Sequence, residues 1–387
     1  MTPPRPRPPA RTRARAEFVV IGGGVTGLAA AWALTRRRRE VTVLEQAQPG
    51  HLDSGSHGTC RIFRFGYNER AYVTLVRQAR QPWAELEDAC GERLLHPTPQ
   101  LTFGPQMPQV RAAMLAAGAG CELLPPDEVA ARFGCVKATG EVLLEPESAV
   151  IAADRAMACL AALAGEIRPG VRVTGLADDG RRVRVSTSAG DIDAGVVIAC
   201  AGPWTSGLLA TAGIALPGSP TLEQIAYVAP ADAAPESTMP IFVHYSAEFP
   251  YGLPVPGTHH YKVGLHHSGP LVEPDQQDQR ADPGLSRRIE HAVRTFLPGF
   301  DPRPVAVERC LYDNSPDTDF IVDRVGNVVI GSGTSGHGFK FGPLLGEWLA
   351  ALALDTAGDA GRAGAAPAVP DRFALSRFQG LPSRHGR

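Results

Sequence analysis

Apolar residues open the chain in three short blocks, Phe18–Ile21, Leu28–Leu34 and Val41–Leu44, separated by glycines and by charged residues. The outer blocks are short apolar runs with valine or isoleucine, a pattern that predicts buried strands. The middle block is Ala/Leu-rich and predicts a helix entered from a glycine turn. Further on, residues 71–90 carry apolar positions at helical spacing, 109–134 hold two short helical patterns around Leu124-Pro125-Pro126, and 152–165 are Ala-rich. Val171–Thr174, Val183–Val185 and Val196–Ala201 read as strands, the last ending at Gly202-Pro203-Trp204. From 216 to 310 alternation dominates, broken by Pro, Gly and Asp, which predicts a separate antiparallel sheet. Phe320–Asp323 and Asn327–Gly331 read as a hairpin, followed by a glycine-rich turn and an amphipathic helix, Leu344–Leu354.

These elements predict an α/β protein. Its Rossmann-like nucleotide domain is discontinuous (16–85, 145–215 and 306–378), with an inserted antiparallel substrate domain of α+β character (86–144 and 216–305). Residues 1–15 are expected to be a disordered Pro/Arg-rich extension, 357–369 an Ala/Gly linker, and 379–387 a mobile tail.

The first turn carries chemistry. Gly22, Gly24 and Gly27 fit G-x-G-x-x-G, and Glu45 follows at the distance of a ribose-binding acid. Gly22 permits the tight turn, Gly24 lets the backbone approach a pyrophosphate, and Gly27 lets helix pack on strand. The helix N-terminus then attracts the phosphate charge. The reading is a dinucleotide site.

Composition narrows the rest. The 387 residues are 44% hydrophobic with a formal net charge of −2, which offers no argument for a nucleic-acid or membrane partner. Seven scattered cysteines without a C-x-x-C pair argue against a zinc site or disulfide framework and fit a reducing cytoplasm. The run Arg36–Arg39, at a helix C-terminus, reads as a solvated cluster. Only three lysines (137, 262 and 340) stand against thirty-five arginines, so each lysine invites a reason. Lysine offers a compact, tunable charge that arginine does not.

Four constellations could hold chemistry. Ser56–Arg64 sets His57, Arg61 and Arg64 in a polar loop suited to an anion, although an ordinary loop would have the same composition. Tyr251-Gly252, then Lys262, Gly264 and His266 on one strand face, offer a cation that is inward only if it serves chemistry or pairs with an acid; the solvent face is the alternative. Cys310-Leu311-Tyr312 holds a thiol that, on local sequence, reads as an inert buried group. Gly331–Pro343 is so glycine-rich that close backbone approach to a ligand is expected.

Together these motifs resemble the D-amino-acid oxidase superfamily, in particular its monomeric sarcosine oxidase and N-methyltryptophan oxidase group. The resemblance runs from about residue 17 to 378 and is carried by His57-Gly-x-x-Arg61-x-x-Arg64, Cys310-x-Tyr312 and Gly336-His-Gly-Phe-Lys340. It implies FAD, held covalently through Cys310. The cofactor residues would be Gly22, Gly24, Val25, Thr26, Gly27, Glu45, Gly55, Ser56, His57, Arg61, Ile62, Val173, Gly202, Trp204, Gly333 and Gly336 to Lys340 (His337, Gly338 and Phe339 between). It also implies that Arg64 and Lys340 bind a substrate carboxylate beside Tyr251, Phe242 and Gly336. Lys262 would activate oxygen, with Arg61, His57, Tyr312 and His266 around the reacting centre. The implied activity is oxidation of a secondary amino acid by molecular oxygen to an imine and hydrogen peroxide, in a cytoplasmic monomer without metal. A cyclic, pipecolate-like amino acid is the alternative substrate, and a non-catalytic flavin-binding protein the alternative of another class.

Overall fold

A computed structural model describes residues 14–232, 238–356 and 368–378. The first strand, Ala14–Ile21, lies between two parallel neighbours, Ile192–Ala199 and Val41–Leu44, and a further parallel strand, Glu166–Arg168, extends the sheet beyond the latter. Val328–Ser332 adds in parallel on the far side of Ile192–Ala199 and forms an antiparallel hairpin with Ile321–Val325. Val173–Asp178 and Val183–Thr187 complete this eight-stranded sheet as an antiparallel flap. Chain segments far apart in sequence therefore build one sheet. The strand begins earlier than expected: Ala14 and Arg15 pair with Ile192 and Asp193, because the longer neighbouring strand satisfies their backbone groups. The other residues expected to form the extension, the tail and most of the linker lie outside the described residues.

Two helices cover one face of this sheet. Val25–Arg36 is buried along ten consecutive residues, and Gly342–Thr356 packs across it. At Gly346 a Cβ would come within 2.5 Å of the Ala29 backbone, so the crossing is as close as two helices permit. This second helix is not amphipathic as expected: from Gly342 to Ala350 every residue is buried, and Leu344, Leu345, Trp348 and Leu349 pack into the main core. Each such side chain contributes about 1.5–3 kcal/mol on burial. The arginine run is not simply solvated either. Arg36 and Arg37 both pair with Glu347 of this helix, Arg36 also with Glu85, and Arg39 with Glu17.

The second eight-stranded sheet runs in the order Ala306–Tyr312, Thr221–Val228, Tyr261–Leu265, Pro250–Pro254, Ile241–His244, Gln100–Phe103, Val142–Glu145, Glu122–Leu124. It departs from the sequence reading in three ways. It is mixed, since Ile241–His244 pairs parallel with Gln100–Phe103, the intervening chain supplying the long crossover that parallel pairing needs. Ala306–Tyr312, read as part of the nucleotide unit, is hydrogen-bonded here along Thr221–Tyr227. The stretch in which alternation was expected to dominate also contains a helix, Pro283–Phe296, capped by Asp282 accepting from the Leu285 amide at 2.8 Å. Its Leu285, Ile289, Ala292 and Val293 are buried at helical spacing. Asp-Pro at its start was the legible signal.

Candidate active site

A cavity of about 740 Å³ lies between the two sheets, from the first glycine turn to the inner face of the second sheet. At its nucleotide end the turn is held by Gly22, whose φ of +103° and whose missing Cβ, which would sit 2.3 Å from the Cys200 carbonyl, admit no other residue. Gly24 precedes the helix without any side-chain cap of its own, and Ser56 Oγ accepts from the Val25 amide at 3.0 Å. Gly22, Gly24, Val25 and Thr26 line the cavity. Gly27 does not: it brings the helix onto the Gly22 carbonyl.

Glu45 is buried and accepts from the amides of Gly23 (2.7 Å) and Ala47 (2.9 Å), with His51 Nε2 at 3.5 Å. Burial opposes its charge, but His51 and these amides outweigh it and hold the carboxyl below its ordinary range. Val173, Gly202 and Trp204 complete this end. The sequence reading missed a strap across it, Val272–Asp275, in which Asp275 accepts from Trp204 Nε1 at 2.7 Å and pairs with Arg172. His51 Nδ1 and Ser54 Oγ are buried against the cavity with no hydrogen-bond partner among the described residues. Orphaned polar atoms beside a buried acid and a helix N-terminus fit a dinucleotide's ribose and phosphates.

The loop after the glycine turn leads to Cys60–Phe63, a short strand. Gly55, Ser56, Arg61 and Ile62 line the cavity. Arg61 is folded onto its own loop, donating to the carbonyls of Cys60 (2.9 Å), Gly55 (3.2 Å) and His57 (2.5 Å). His57 turns away from the cavity, a correction to the expected role. Its Nδ1 donates to the Ser54 carbonyl and its Nε2 faces Glu308 at 3.9 Å, so it braces the loop from behind.

Across from Arg61, the strand Tyr261–Leu265 brings Lys262 inward. Its Nζ donates to the Cys60 carbonyl at 3.1 Å. Burial, then Arg61, push its pKa down. Cys310 stands on the neighbouring wall; burial raises its thiol pKa while Arg61 and Lys262 work against that rise. Tyr251, Tyr312 and His266 line the same region, His266 Nδ1 lying 3.4 Å from the Tyr312 hydroxyl. Burial and then His267 push His266 well below its ordinary range, so its ring is neutral. Phe242 is not among them. It points to the other face of its sheet, stacked among Tyr261, Phe296 and Phe103, while its neighbour Val243 meets the cavity.

The third group joins the segment after Cys60–Phe63 to the glycine-rich loop. Arg64 is buried, donates to the Gly66 carbonyl and the Tyr245 hydroxyl, and lies 4.4 Å from the Tyr67 ring centre. Glu145, fully buried, accepts from the amides of Phe65 (3.1 Å) and Gly66 (2.7 Å) and so fixes the peptide that Arg64 grips. Lys340 donates to the Tyr67 hydroxyl and the His337 carbonyl, both at 2.9 Å. Burial and then Arg64 push its pKa well down. Gly336, with φ +72°, lets the loop pass over the Tyr312 ring, where a Cβ would lie 2.0 Å from a ring carbon. Gly336, His337, Gly338, Phe339 and Lys340 line the cavity; Gly333 does not. Gly333 instead donates its amide to Asp313 Oδ2 at 2.8 Å, pinning the loop.

None of Arg64, Lys262 and Lys340 forms an ion pair among the described residues. The glycine turn and the buried acid thus open, within one cavity, onto Arg64, Lys262 and Lys340. The chain belongs to the FAD dependent oxidoreductase family, whose model matches residues 17–352. It is 32% identical to the peroxisomal sarcosine oxidase of Homo sapiens over 95% of this chain and 98% of that protein. With the monomeric sarcosine oxidase of Arthrobacter sp. the identity is 28%, over 87% and 92% of the two chains. Among solved structures, NikD, an unusual amino acid oxidase essential for nikkomycin biosynthesis, superposes with a TM-score of 0.82 at 27% identity, covering 96% of this chain and all of that one.

Proposed function

We propose that this enzyme oxidises a secondary amino acid, of the N-methyl type, to its imine, with oxygen as final acceptor and hydrogen peroxide as the second product. The observation that carries this reading is the pair of buried basic side chains Arg64 and Lys340, which share Tyr67 and form no ion pair among the described residues. A carboxylate is the group that completes them. FAD, when bound, accepts the hydride equivalents. Val173, Glu45, Ser56 and the first helix would hold its nucleotide end, and Cys310 would tether the ring through a thioether. Lys262 would supply positive charge where oxygen is reduced, and the amides around Gly336–Lys340 would balance negative charge gained by the reduced cofactor. Among the described residues no helix is long and apolar enough to cross a membrane. The scattered cysteines fit our reading of a reducing, cytoplasmic setting.

An anaerobic screen tests the proposal. N-methyl and cyclic amino acids are added to the yellow holoprotein and bleaching of flavin absorbance is followed. Fast bleaching by an N-methyl amino acid supports the reading, and preference for cyclic ones narrows the substrate to that class. No bleaching by either would overturn it.

A further inference from the structure

We propose that Tyr67, which does not itself line the cavity, is the positioning residue that lets two like-charged groups, Arg64 and Lys340, stand together ready for a carboxylate. This rests on the carboxylate-binding reading above. Two buried cations repel, and each would be stabilised by a partner carrying negative potential. Tyr67 supplies that potential twice. Its ring face lies 4.4 Å from the Arg64 guanidinium carbon, and its hydroxyl accepts from Lys340 Nζ at 2.9 Å.

The direction of that hydroxyl is fixed by a chain. His337 Nε2 lies 3.1 Å from the Thr318 carbonyl, which can only accept, so Nε2 carries the proton. Burial, and then Lys340, hold His337 well below its ordinary pKa, so the ring is neutral and Nδ1 is an acceptor. The Tyr67 hydroxyl, 3.1 Å away, therefore donates to Nδ1 and turns its lone pairs to Lys340. The ring is also held: it stacks on Tyr72 at 5.0 Å, and the Tyr72 hydroxyl donates to Asp319, which Arg372 grips with two nitrogens. A tether from the half-buried pair Asp319–Arg372 thus reaches the substrate end through two stacked tyrosines.

The consequence is a pH limit. Lys340 faces Arg64 and Tyr67 from the segment after Cys60–Phe63, His266 from the second sheet, and His337 from its own loop. Only Arg64 among these is cationic, and it disfavours the ammonium; Tyr67 favours it. Carboxylate binding needs the ammonium and is lost as pH rises through the Lys340 pKa. Removing the hydroxyl lowers that pKa further, so the limit moves to lower pH.

Propionate, which carries a carboxylate and no amine, is the probe. Its dissociation constant is read from the absorbance of the bound flavin between pH 6 and 10, for the parent, Tyr67→Phe, Lys340→Met and the double variant. Tyr67→Phe should weaken propionate about tenfold near neutral pH and move the alkaline limit down by about one pH unit. In Lys340→Met the limit should vanish, and adding Tyr67→Phe should change little. An unmoved limit and affinity in Tyr67→Phe, with Lys340→Met weakened, overturns the role of Tyr67 and leaves the carboxylate reading standing. Parent-like binding in Lys340→Met and Arg64→Ala overturns both. Should Tyr67→Phe fail to retain flavin, His337→Ala replaces it: it frees the hydroxyl from its acceptor, should move the limit in the same direction, and overturns the proposal if it does not.

Discussion

The two ends of the cavity are built differently. The nucleotide end is made largely of backbone: a Gly22 turn, the open N-terminus of Val25–Arg36, and amides that fix Glu45, all within about thirty residues of chain. The substrate end is made of side chains from five separate segments, Arg64, Tyr251, Lys262, Tyr312 and Lys340, no two of them on one element. Backbone sites tolerate change in what surrounds them, because their geometry is local. Side-chain sites depend on braces such as Glu145 and Tyr67 that stand behind the cavity wall.

That contrast can be broken by mutation. The largest effect is expected where the two ends meet, at Cys310. Parent protein precipitated in acid should stay yellow and weigh one FAD more than its sequence, whereas the flavin of Cys310→Ala should extract completely; a colourless pellet from loaded parent protein would refute the tether. Lys262→Met should slow reoxidation by oxygen about a hundredfold or more while flavin reduction changes far less, the result expected if superoxide forms beside the ammonium. Stopped-flow traces showing equal oxidative half-reactions would move the oxygen site elsewhere.

Smaller effects follow at the clamp and the nucleotide end. Arg64→Ala and Lys340→Ala should each weaken amino-acid binding about tenfold or more, a charge-assisted bond contributing roughly 1.5–3 kcal/mol. The decarboxylated amine should then react equally poorly with parent and variant. If it is as good a substrate as the amino acid, the clamp is misassigned. Least of all, His51→Gln should cost only a few-fold in FAD affinity near neutral pH, because the amides of Gly23 and Ala47 keep Glu45 charged. His51 has a raised pKa from its bond to Glu45. Its contribution is therefore full below its ordinary pKa and fades as pH rises through the raised value, so parent and variant should converge in alkaline titrations of flavin binding. Divergence instead would remove His51 from the nucleotide end.

How much of the site could be read beforehand follows the same division. The glycine turn, Glu45, the arginine pair 61 and 64, Lys262 and the Gly336–Lys340 loop were legible because motif spacing or residue type marked them. Phe242 was assigned to the substrate by resemblance alone, and its ring packs on the other face of the sheet, whereas its neighbour Val243 meets the cavity. His57 and Gly333 were assigned by motif, yet both brace loops from behind. Glu145, Tyr67, Tyr245 and the Asp275 strap carried no local signal, since each acts through a residue far away in sequence.

The sequence by itself determined the dinucleotide turn and the strands and helix that frame it, since hydrophobic period and glycine conformation act over a few residues. It also singled out Lys262 and Lys340, both of which line the cavity. Only the tertiary structure decided that Ala306–Tyr312 joins the second sheet and carries Cys310 to its place beside Lys262 and Arg61. It alone decided that Lys262 points inward and that Tyr67 stands between Arg64 and Lys340. Those outcomes depend on contacts across hundreds of residues, where burial and charge are set by what the rest of the chain brings alongside.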